Sequence, residues 1–251
     1  MKNLIEIYRS IPFPRPGEYT GRLYCPCEYL YWINIEKALK DKRNKILDIG
    51  CGPGLKSYVL SKKHKVIGFD NDKKQIKAWK QYRCNLFLAS AEEIPIKTNT
   101  FDIILCTEVL EHVKDYKKLL NEMLRIIKNQ GRIIITTPNA ATNKSGGKYG
   151  HFKEFRIEEL KKLFQKNNLR IKYYFFTNHR YLNKLDRRIH LIMKMDAYAM
   201  KKLGIGLPKF LINFYNKRIC PRLLRKAIKE EECLKHNKNG LGIFMVIEKL
   251  R

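Results

Sequence analysis

The chain has 251 residues, and its 44% of hydrophobic residues are enough for one sizeable core with or without a smaller attached unit. With 52 Lys and Arg against 24 Asp and Glu, the net charge of +28 favours an acidic partner such as nucleic acid, anionic lipid or a phosphorylated substrate. The excess of positive charge also fits solvated surface lysines without a partner. The chain has no run of 18 apolar residues, so we predict no membrane-spanning helix.

The cysteines and the first residues indicate the cellular compartment. Seven cysteines lack framework spacing, and the start of the chain lacks a sustained apolar run with a small-residue cleavage site. Both features favour a reducing cytoplasm, with attachment to a membrane surface left open. Cys25 and Cys27 in "CPC" stand too close for the usual zinc knuckle, so we interpret them as ordinary thiols.

Residues 1–44 predict a turn-rich start followed by a helical cap. Three prolines in "IPFPRPGEY" exclude regular structure there. The following "CEYLYWINIEKALK" has the pattern of a helix with an aromatic face.

From Lys45 onward the pattern alternates between strands and helices. Six apolar runs predict strands, at 45–50, 65–70, 84–90, 101–107, 131–138 and 169–177. Helical patterns separate most of them, at 54–63, 71–82, 116–129 and 156–167. This alternation predicts an α/β fold with a doubly wound, mostly parallel sheet. The apolar run at 241–250 predicts a seventh strand, which we expect to be antiparallel and at the edge.

The stretch between the sixth and last strands is far longer than a hairpin needs. Residues 178–239 predict a basic helical insert, with cations beside leucine and isoleucine in "RICPRLLRKAIK". Three interpretations stay open. The insert contacts an anionic membrane surface, or it grips RNA phosphates, or it is a lid with its own core over a soluble substrate.

The segment "KILDIGCGPG" places three glycines directly after the first strand. Gly50, Gly52 and Gly54 permit a tight turn and close approach of a ligand at the carboxyl end of the sheet. Asp70 closes the second strand about 20 residues later, where a carboxylate can bind a ribose diol. The dinucleotide fingerprint requires two residues between its second and third glycines, whereas only Pro53 stands between Gly52 and Gly54.

Five motifs in order resemble those of the class I S-adenosylmethionine-dependent methyltransferases. They are "ILDIGCGPG", "GFD", "AEEIP", "FDIILCTEVLEHV" and "GRIIITTPN". The resemblance implies a Rossmann-like seven-stranded core at 45–177, completed by a last strand within 240–251. Residues 1–44 and 178–239 would then be a cap and an insert that select the substrate.

The resemblance also implies a set of cofactor-binding residues. Asp48, Gly50, Gly52 and Gly54 are expected around the methionine part. Asp70 would bind the ribose, and Ser90, Ala91 and Glu92 would lie beside the adenine. Cys51, Asn71, Thr107 and Glu108 are further cofactor-binding candidates. The family usually has an acidic residue where Ser90 stands, so Ser90, Glu92 or the backbone must make that contact.

The stretch "CTEVLEHV" supplies candidates for catalysis. If it is helical, the spacing puts Glu108, Glu111 and His112 on one face, and His151 follows the fifth strand. This stretch resembles ubiquinone-pathway O-methyltransferases and small-RNA 2′-O-methyltransferases, some of which hold a divalent metal here. We take Glu111, His112 and His151 as catalytic candidates without a metal. A metal bound by these three residues with Glu108, and a purely structural role, remain alternatives.

These observations predict an S-adenosylmethionine-dependent methyltransferase acting on oxygen of a small-molecule, quinone or lipid-type acceptor. An RNA methyltransferase that uses the basic insert is one alternative, and a cofactor-binding module without catalysis is another. The sequence does not name the acceptor or the oligomeric state.

Overall fold

The computed structural model describes most of the chain from residue 26 onward. The described ranges are 26–39, 43–75, 84–142, 150–167, 169–177, 206–234 and 236–250, with residue pairs at 188–189, 191–192, 195–196, 198–199 and 202–203. The predictions for "IPFPRPGEY" and Cys25, and the second half of the helix predicted at 71–82, lie outside these residues.

A seven-stranded sheet forms the centre of the fold. Its strands are β1 (Lys45–Ile49), β2 (Lys65–Asp70), β3 (Asn85–Leu88), β4 (Phe101–Thr107), β5 (Ile127–Pro138), β6 (Leu169–Thr177) and β7 (Gly242–Lys249). The spatial order is β3-β2-β1-β4-β5-β7-β6. Strands β1 to β5 pair in parallel, and β7 is antiparallel to both of its neighbours. The predicted Rossmann-like fold with an antiparallel last strand is therefore confirmed.

The predicted edge position of the last strand is wrong. Strand β7 lies between β5 and β6, with Val246 opposite Ile134 on one side and Tyr173 on the other. Its first six residues are buried, because a strand paired on both sides and covered on both faces needs apolar side chains throughout. Strand β6 takes the edge instead.

The helices follow the predicted order. They are α1 (Pro26–Leu39), α2 (Leu55–Ser61), α3 (Tyr116–Ile126), α4 (Ile157–Gln165), α5 (Lys209–Phe214) and α6 (Cys220–Leu234). A π-helical turn, Tyr215–Ile219, joins α5 to α6, and short 3₁₀ turns lie at Lys73–Gln75 and Leu110–His112. Helix α3 begins at an Asp115 cap and ends before its predicted limit of 129, because Ile127 already pairs with Phe101 of β4.

The buried core holds the parallel strands side by side, so that their carboxyl ends lie at one edge of the sheet. Leu47, Ile104, Ile133 and Ile135 are almost fully buried in neighbouring parallel strands. Because parallel strands end at the same edge, the carboxyl ends of β1, β2 and β4 lie side by side. The strand order across the sheet reverses between β1 and β4, and ligands of open α/β sheets bind at such a point.

The chain divides into two compact units. The core unit comprises Ala38–Thr177 and Asn237–Arg251, and the helical unit comprises Met1–Lys37 and Asn178–His236. Within the helical unit, Asn34 donates to the buried carboxylate of Glu231 at 3.0 Å. In the described part of the chain, no helix is both long and apolar enough to cross a membrane.

Candidate active site

Two glycines in the loop after β1 are required for different physical reasons. Gly50 and Gly52 both adopt left-handed backbone angles, with φ of +62° and +52°. A Cβ added to Gly50 would come within 2.4 Å of Val109 Cγ2, so the loop itself excludes a side chain there. A Cβ on Gly52 would meet no atom within 4 Å, so the space beside Gly52 is open to a ligand.

Asp70 ties the end of β2 to this loop. Its Oδ2 accepts the backbone N–H of Gly52 at 2.8 Å, and its Oδ1 accepts that of Asp72 at 2.9 Å. A carboxylate has about four lone-pair positions, so each oxygen retains one for a ligand. The two backbone bonds fix the direction in which those lone pairs point.

A cavity of about 290 Å³ lies at this edge of the sheet. Its polar lining residues are Asp70, Asn71, Glu108 and His112, and Gly50 also contributes. Apolar side chains contribute the remainder of the lining, namely Phe69, Ala89, Ala91, Val109 and Val113. A larger hollow beside Pro95 has Arg125 in its wall, and that guanidinium is engaged by Glu122 and two backbone carbonyls. The smaller cavity therefore carries the chemistry.

Of the three residues expected beside the adenine, Ala91 lines this cavity, whereas Ser90 and Glu92 are not among its lining residues. The Ser90 hydroxyl accepts the backbone N–H of Glu92. The Glu92 carboxylate accepts the N–H of Asp115 at the start of α3. These side chains stabilise their own turns, and their contact with an adenine stays a prediction.

A charged network that the sequence analysis missed lies behind the glycine loop. The fully buried Asp48 accepts the Ser57 hydroxyl at 2.7 Å and forms an ion pair with Lys56 at 3.2 Å. The ammonium group of Lys56 also donates to Thr107 at the end of β4. Lys56 thus joins two of the predicted cofactor residues across neighbouring strands. The signal in the sequence that could have identified Lys56 was its position two residues after Gly54.

The stretch after β4 does not form the conditional helix. Glu108 has a left-handed φ of +54°, and a single 3₁₀ turn begins only at Leu110. Glu108 is exposed, whereas Glu111 is fully buried. The shared helix face expected for Glu108, Glu111 and His112 is therefore wrong, because the backbone reverses at Glu108.

Glu111 is the most unusual acid of the site. Its Oε2 accepts the Thr137 hydroxyl at 3.0 Å, and its Oε1 is buried without a hydrogen-bond partner among the described residues. Burial raises the pKa of Glu111 to about 8, helped by the negative charge of Glu108. The carboxyl group is therefore mostly protonated at neutral pH. Its backbone carbonyl accepts the N–H of Phe152, which fixes the segment carrying His151.

The two candidate histidines lie together. The rings of His112 and His151 meet edge to face with centroids 4.7 Å apart. His112 Nδ1 lies 3.3 Å from the Gly150 carbonyl, and His151 Nδ1 lies 3.0 Å from a carboxylate oxygen of Glu154. His112 is an exposed residue, but partial desolvation of its ring lowers its pKa, and the neighbouring His151 lowers this pKa further, against the opposing effect of the Gly150 carbonyl. Glu154 is a further residue that the sequence analysis missed, three positions after a histidine.

Two thiols near the site are poorly suited to act as nucleophiles. Cys51 and Cys106 are buried, and burial raises the pKa of both thiols far above neutrality. The Cys51 backbone N–H donates to the Phe69 carbonyl, so this residue holds the loop through its main chain.

Comparison with known proteins identifies the family. Residues 47–135 match the family model described as a methyltransferase domain. Residues 47–135 therefore carry a methyltransferase domain of the kind found in class I S-adenosylmethionine-dependent methyltransferases.

Three relatives illustrate how far the similarity extends. An uncharacterized protein of Methanocaldococcus jannaschii is 35% identical over 143 residues, which are 55% of this chain and 61% of that protein. A ubiquinone biosynthesis O-methyltransferase of Coxiella burnetii is 32% identical over 112 residues, which are 42% of this chain and 48% of that protein. The chain thus spans about half the length of these curated relatives. A methyltransferase structure from Archaeoglobus fulgidus shares the fold, with a TM-score of 0.57, 18% identity, and coverage of 88% of this chain and 93% of that one.

The site has groups that suit S-adenosylmethionine, the cofactor of this family. S-adenosylmethionine carries a ribose diol, a cationic sulfonium and an amino-acid group. Asp70 presents oriented lone pairs for the diol, and the open space at Gly52 admits the ligand beside the backbone. Lys56, which is paired with the buried Asp48, lies directly behind the glycine loop.

The site also has a set of potential metal ligands. One ligand atom each of Glu111, His112 and His151 lies within 4.8 Å of the others. A carboxylate and two imidazoles are suitable ligands for a divalent cation, although Glu111 would have to lose its proton first. Glu108, the fourth predicted member, does not belong to this group.

Proposed function

We propose that this protein transfers the methyl group of S-adenosylmethionine to a hydroxyl oxygen of a small, largely apolar acceptor. One observation carries the proposal: Asp70, Gly50 of the glycine loop and His112 line a single cavity. Cofactor-binding groups and a proton acceptor thus share one space. The activity is inferred for a chain that spans about half of its curated relatives.

Methyl transfer from a sulfonium is an in-line displacement, and the methyl group is already activated. The protein therefore needs to align the acceptor, exclude water and remove one proton. His112 has the properties required for the last task. If its Nδ1–H donates to the Gly150 carbonyl, the lone pair lies on Nε2. Its lowered pKa keeps the ring neutral, so the ring can accept the proton of the hydroxyl group.

The groups around His112 support this role. His151, held by Glu154, packs edge-on against the ring and limits its rotation. The protonated Glu111 places no negative charge beside the ring, so it does not favour the imidazolium form that would be unable to act as a base. In this proposal Glu111 and His151 position the base rather than touch the acceptor.

The acceptor class follows from the lining and from the relatives. Phe69, Val109 and Val113 line the cavity and favour an apolar body such as a quinone or a lipid-type molecule. The similarity to proteins named ubiquinone biosynthesis O-methyltransferases points the same way. An RNA acceptor gripped by residues 178–239, a metal-assisted reaction and a module without catalysis stay as alternatives. A cytoplasmic location likewise stays a prediction.

The test is transfer of radioactive methyl from S-adenosylmethionine to cell fractions by the purified chain. We expect label in the organic extract, retained when a chelator is present and lost with His112→Gln. Label confined to nuclease-sensitive material would contradict the proposed acceptor class. Loss of methyl transfer when the chelator is present would indicate that a metal, and not a histidine base, activates the hydroxyl group. Cofactor binding without label in any fraction would favour the module.

A further inference from the structure

The helical unit exposes an unusual amount of apolar surface. In the described part of the chain, seven large apolar side chains have more than half of their surface exposed, and six of them lie between residues 191 and 214. These six, called the apolar patch below, are Leu191, Met195, Tyr198, Leu203, Phe210 and Phe214. The seventh, Phe152, lies in the core unit. Clustered exposed apolar residues of this size mark interaction surfaces.

The spacing of the patch is helical. Leu191, Met195 and Tyr198 stand at i, i+4 and i+7 in helical fragments, and Phe210 and Phe214 stand at i and i+4 on α5. The opposite side of α5 already has partners, because Ile212 packs on Ile189 in a small core. The patch therefore faces outward while the inner face of the same segment is satisfied.

The charge around the patch has one sign. Residues 188–218 contain seven Lys and Arg and a single acid, Asp196. That acid is largely buried and accepts the backbone N–H of Leu207 at 2.6 Å. Among the cations, Arg188, Lys202, Lys217 and Arg218 are exposed. A partner for this surface must therefore be both anionic and able to take up apolar side chains.

We propose that the apolar patch and its cations bind the surface of an anionic lipid bilayer. Apolar side chains of interfacial helices enter the boundary between headgroups and acyl chains, while Lys and Arg pair with anionic headgroups. Nucleic acid has the right charge, and the three aromatic residues of the patch could stack on bases, but Leu191, Met195 and Leu203 could not, whereas a bilayer takes up all six. This inference is independent of methyl transfer, since bilayer binding needs neither cofactor nor acceptor.

Vesicle flotation tests the proposal with the full chain. The probes are vesicles of phosphatidylcholine alone and of equal parts phosphatidylcholine and phosphatidylglycerol. We expect binding to the mixed vesicles only, weakened by salt. The double variant Phe210→Ser, Phe214→Ser should lower partitioning about tenfold or more. Phe152→Ser is the matched control, because Phe152 is 65% exposed against 69% for Phe210.

A second pair of variants tests the charges. Lys217→Gln with Arg218→Gln should weaken binding by about fivefold for each cation removed. Lys97→Gln with Lys166→Gln makes the same change in net charge on exposed residues of the core unit and should have no effect. Melting curves of all variants confirm that each remains folded.

Three results would overturn the proposal. Mixed-vesicle binding that survives in the Phe210, Phe214 variant would be unspecific attraction of a basic protein. RNA binding without vesicle binding would assign the surface to nucleic acid. Self-association that depends on these two phenylalanines, without vesicle binding, would assign it to a second copy of the chain.

Discussion

The ammonium group of Lys56 lies 3.2 Å from the fully buried carboxylate of Asp48 and also donates to Thr107. Through these two contacts Lys56 links the end of β1 to the end of β4, at the point where the strand order of the sheet reverses. A cation fixed there is suited to bind the carboxylate of the cofactor's amino-acid group.

Lys56→Met tests this assignment through two ligands. S-adenosylhomocysteine has the amino-acid group and methylthioadenosine lacks it. We expect the variant to bind S-adenosylhomocysteine about tenfold or more weakly, as for loss of a charged hydrogen bond, and methylthioadenosine as before. Calorimetry measures both affinities. A variant that loses both ligands equally would indicate general loosening around Asp48 instead.

Asp70→Ala tests the ribose site. Removing a charged acceptor should weaken binding of S-adenosylhomocysteine by about 1.5–3 kcal/mol. Asp72→Ala is the matched control, because its carboxylate serves Lys74 and Gln75 in the next turn and does not line the cavity. Equal affinities of the Asp70 variant and the unmodified protein would exclude the ribose assignment.

The pH dependence of methyl transfer tests the proposed base. Only neutral His112 can accept a proton, and its pKa lies below the ordinary 6.5, so kcat/KM should rise with pH with a midpoint below that value. His112→Gln should lower the rate about 10² to 10⁴-fold and remove the rise. His236→Gln, at an exposed position, should keep both rate and profile. If the slower His112 variant kept the same pH profile, another group would have to be the base.

Two alanine substitutions separate the roles of the glycines. Gly50→Ala and Gly52→Ala share the strain of a left-handed residue, but only the first places a methyl group against Val109. We expect Gly50→Ala to lower the free energy of unfolding by about 1–3 kcal/mol more than Gly52→Ala, as in overpacked cores. Urea unfolding measures the difference, and Val109→Ala should remove it. Equal costs in both backgrounds would contradict the packing explanation.

Glu231 should make the stability of the helical unit depend on pH. Burial raises its pKa from 4.5 to about 7 in the folded state, against the hydrogen bond from Asn34. The folded state therefore holds this proton more tightly than the unfolded state, and the free energy of unfolding falls as pH rises from about 4.5 through 7.

Glu231→Gln should remove this loss and stabilise the protein above pH 7 by up to about 3 kcal/mol, with little change at pH 4. Glu232→Gln, an exposed partner of Lys37, is the control and should leave the pH dependence unaltered. Thermal melting across this pH range measures both variants. A Glu231 variant that parallels the unmodified protein would mean that the carboxylate is charged when folded.

The local patterns of the sequence predicted much of the fold. The bounds of β2, β4 and β6 agree with the predicted 65–70, 101–107 and 169–177. Apolar runs and breakers act on neighbouring residues, so they can be interpreted without a structure. The glycine loop and Asp70 were found in the same way, and the structure links them by a direct hydrogen bond.

Contacts between distant residues were decided only in three dimensions. The insertion of β7 between β5 and β6, the ion pair of Lys56, and the packing of Val109 over Gly50 join positions far apart in sequence. The reversal at Glu108 separated two acids that sequence spacing had placed together, and it left Glu111 beside His112 and His151. Sequence periodicity fixes which face of an element is apolar, whereas partner choice depends on how those elements pack, and the chemistry of the site depends on the partners.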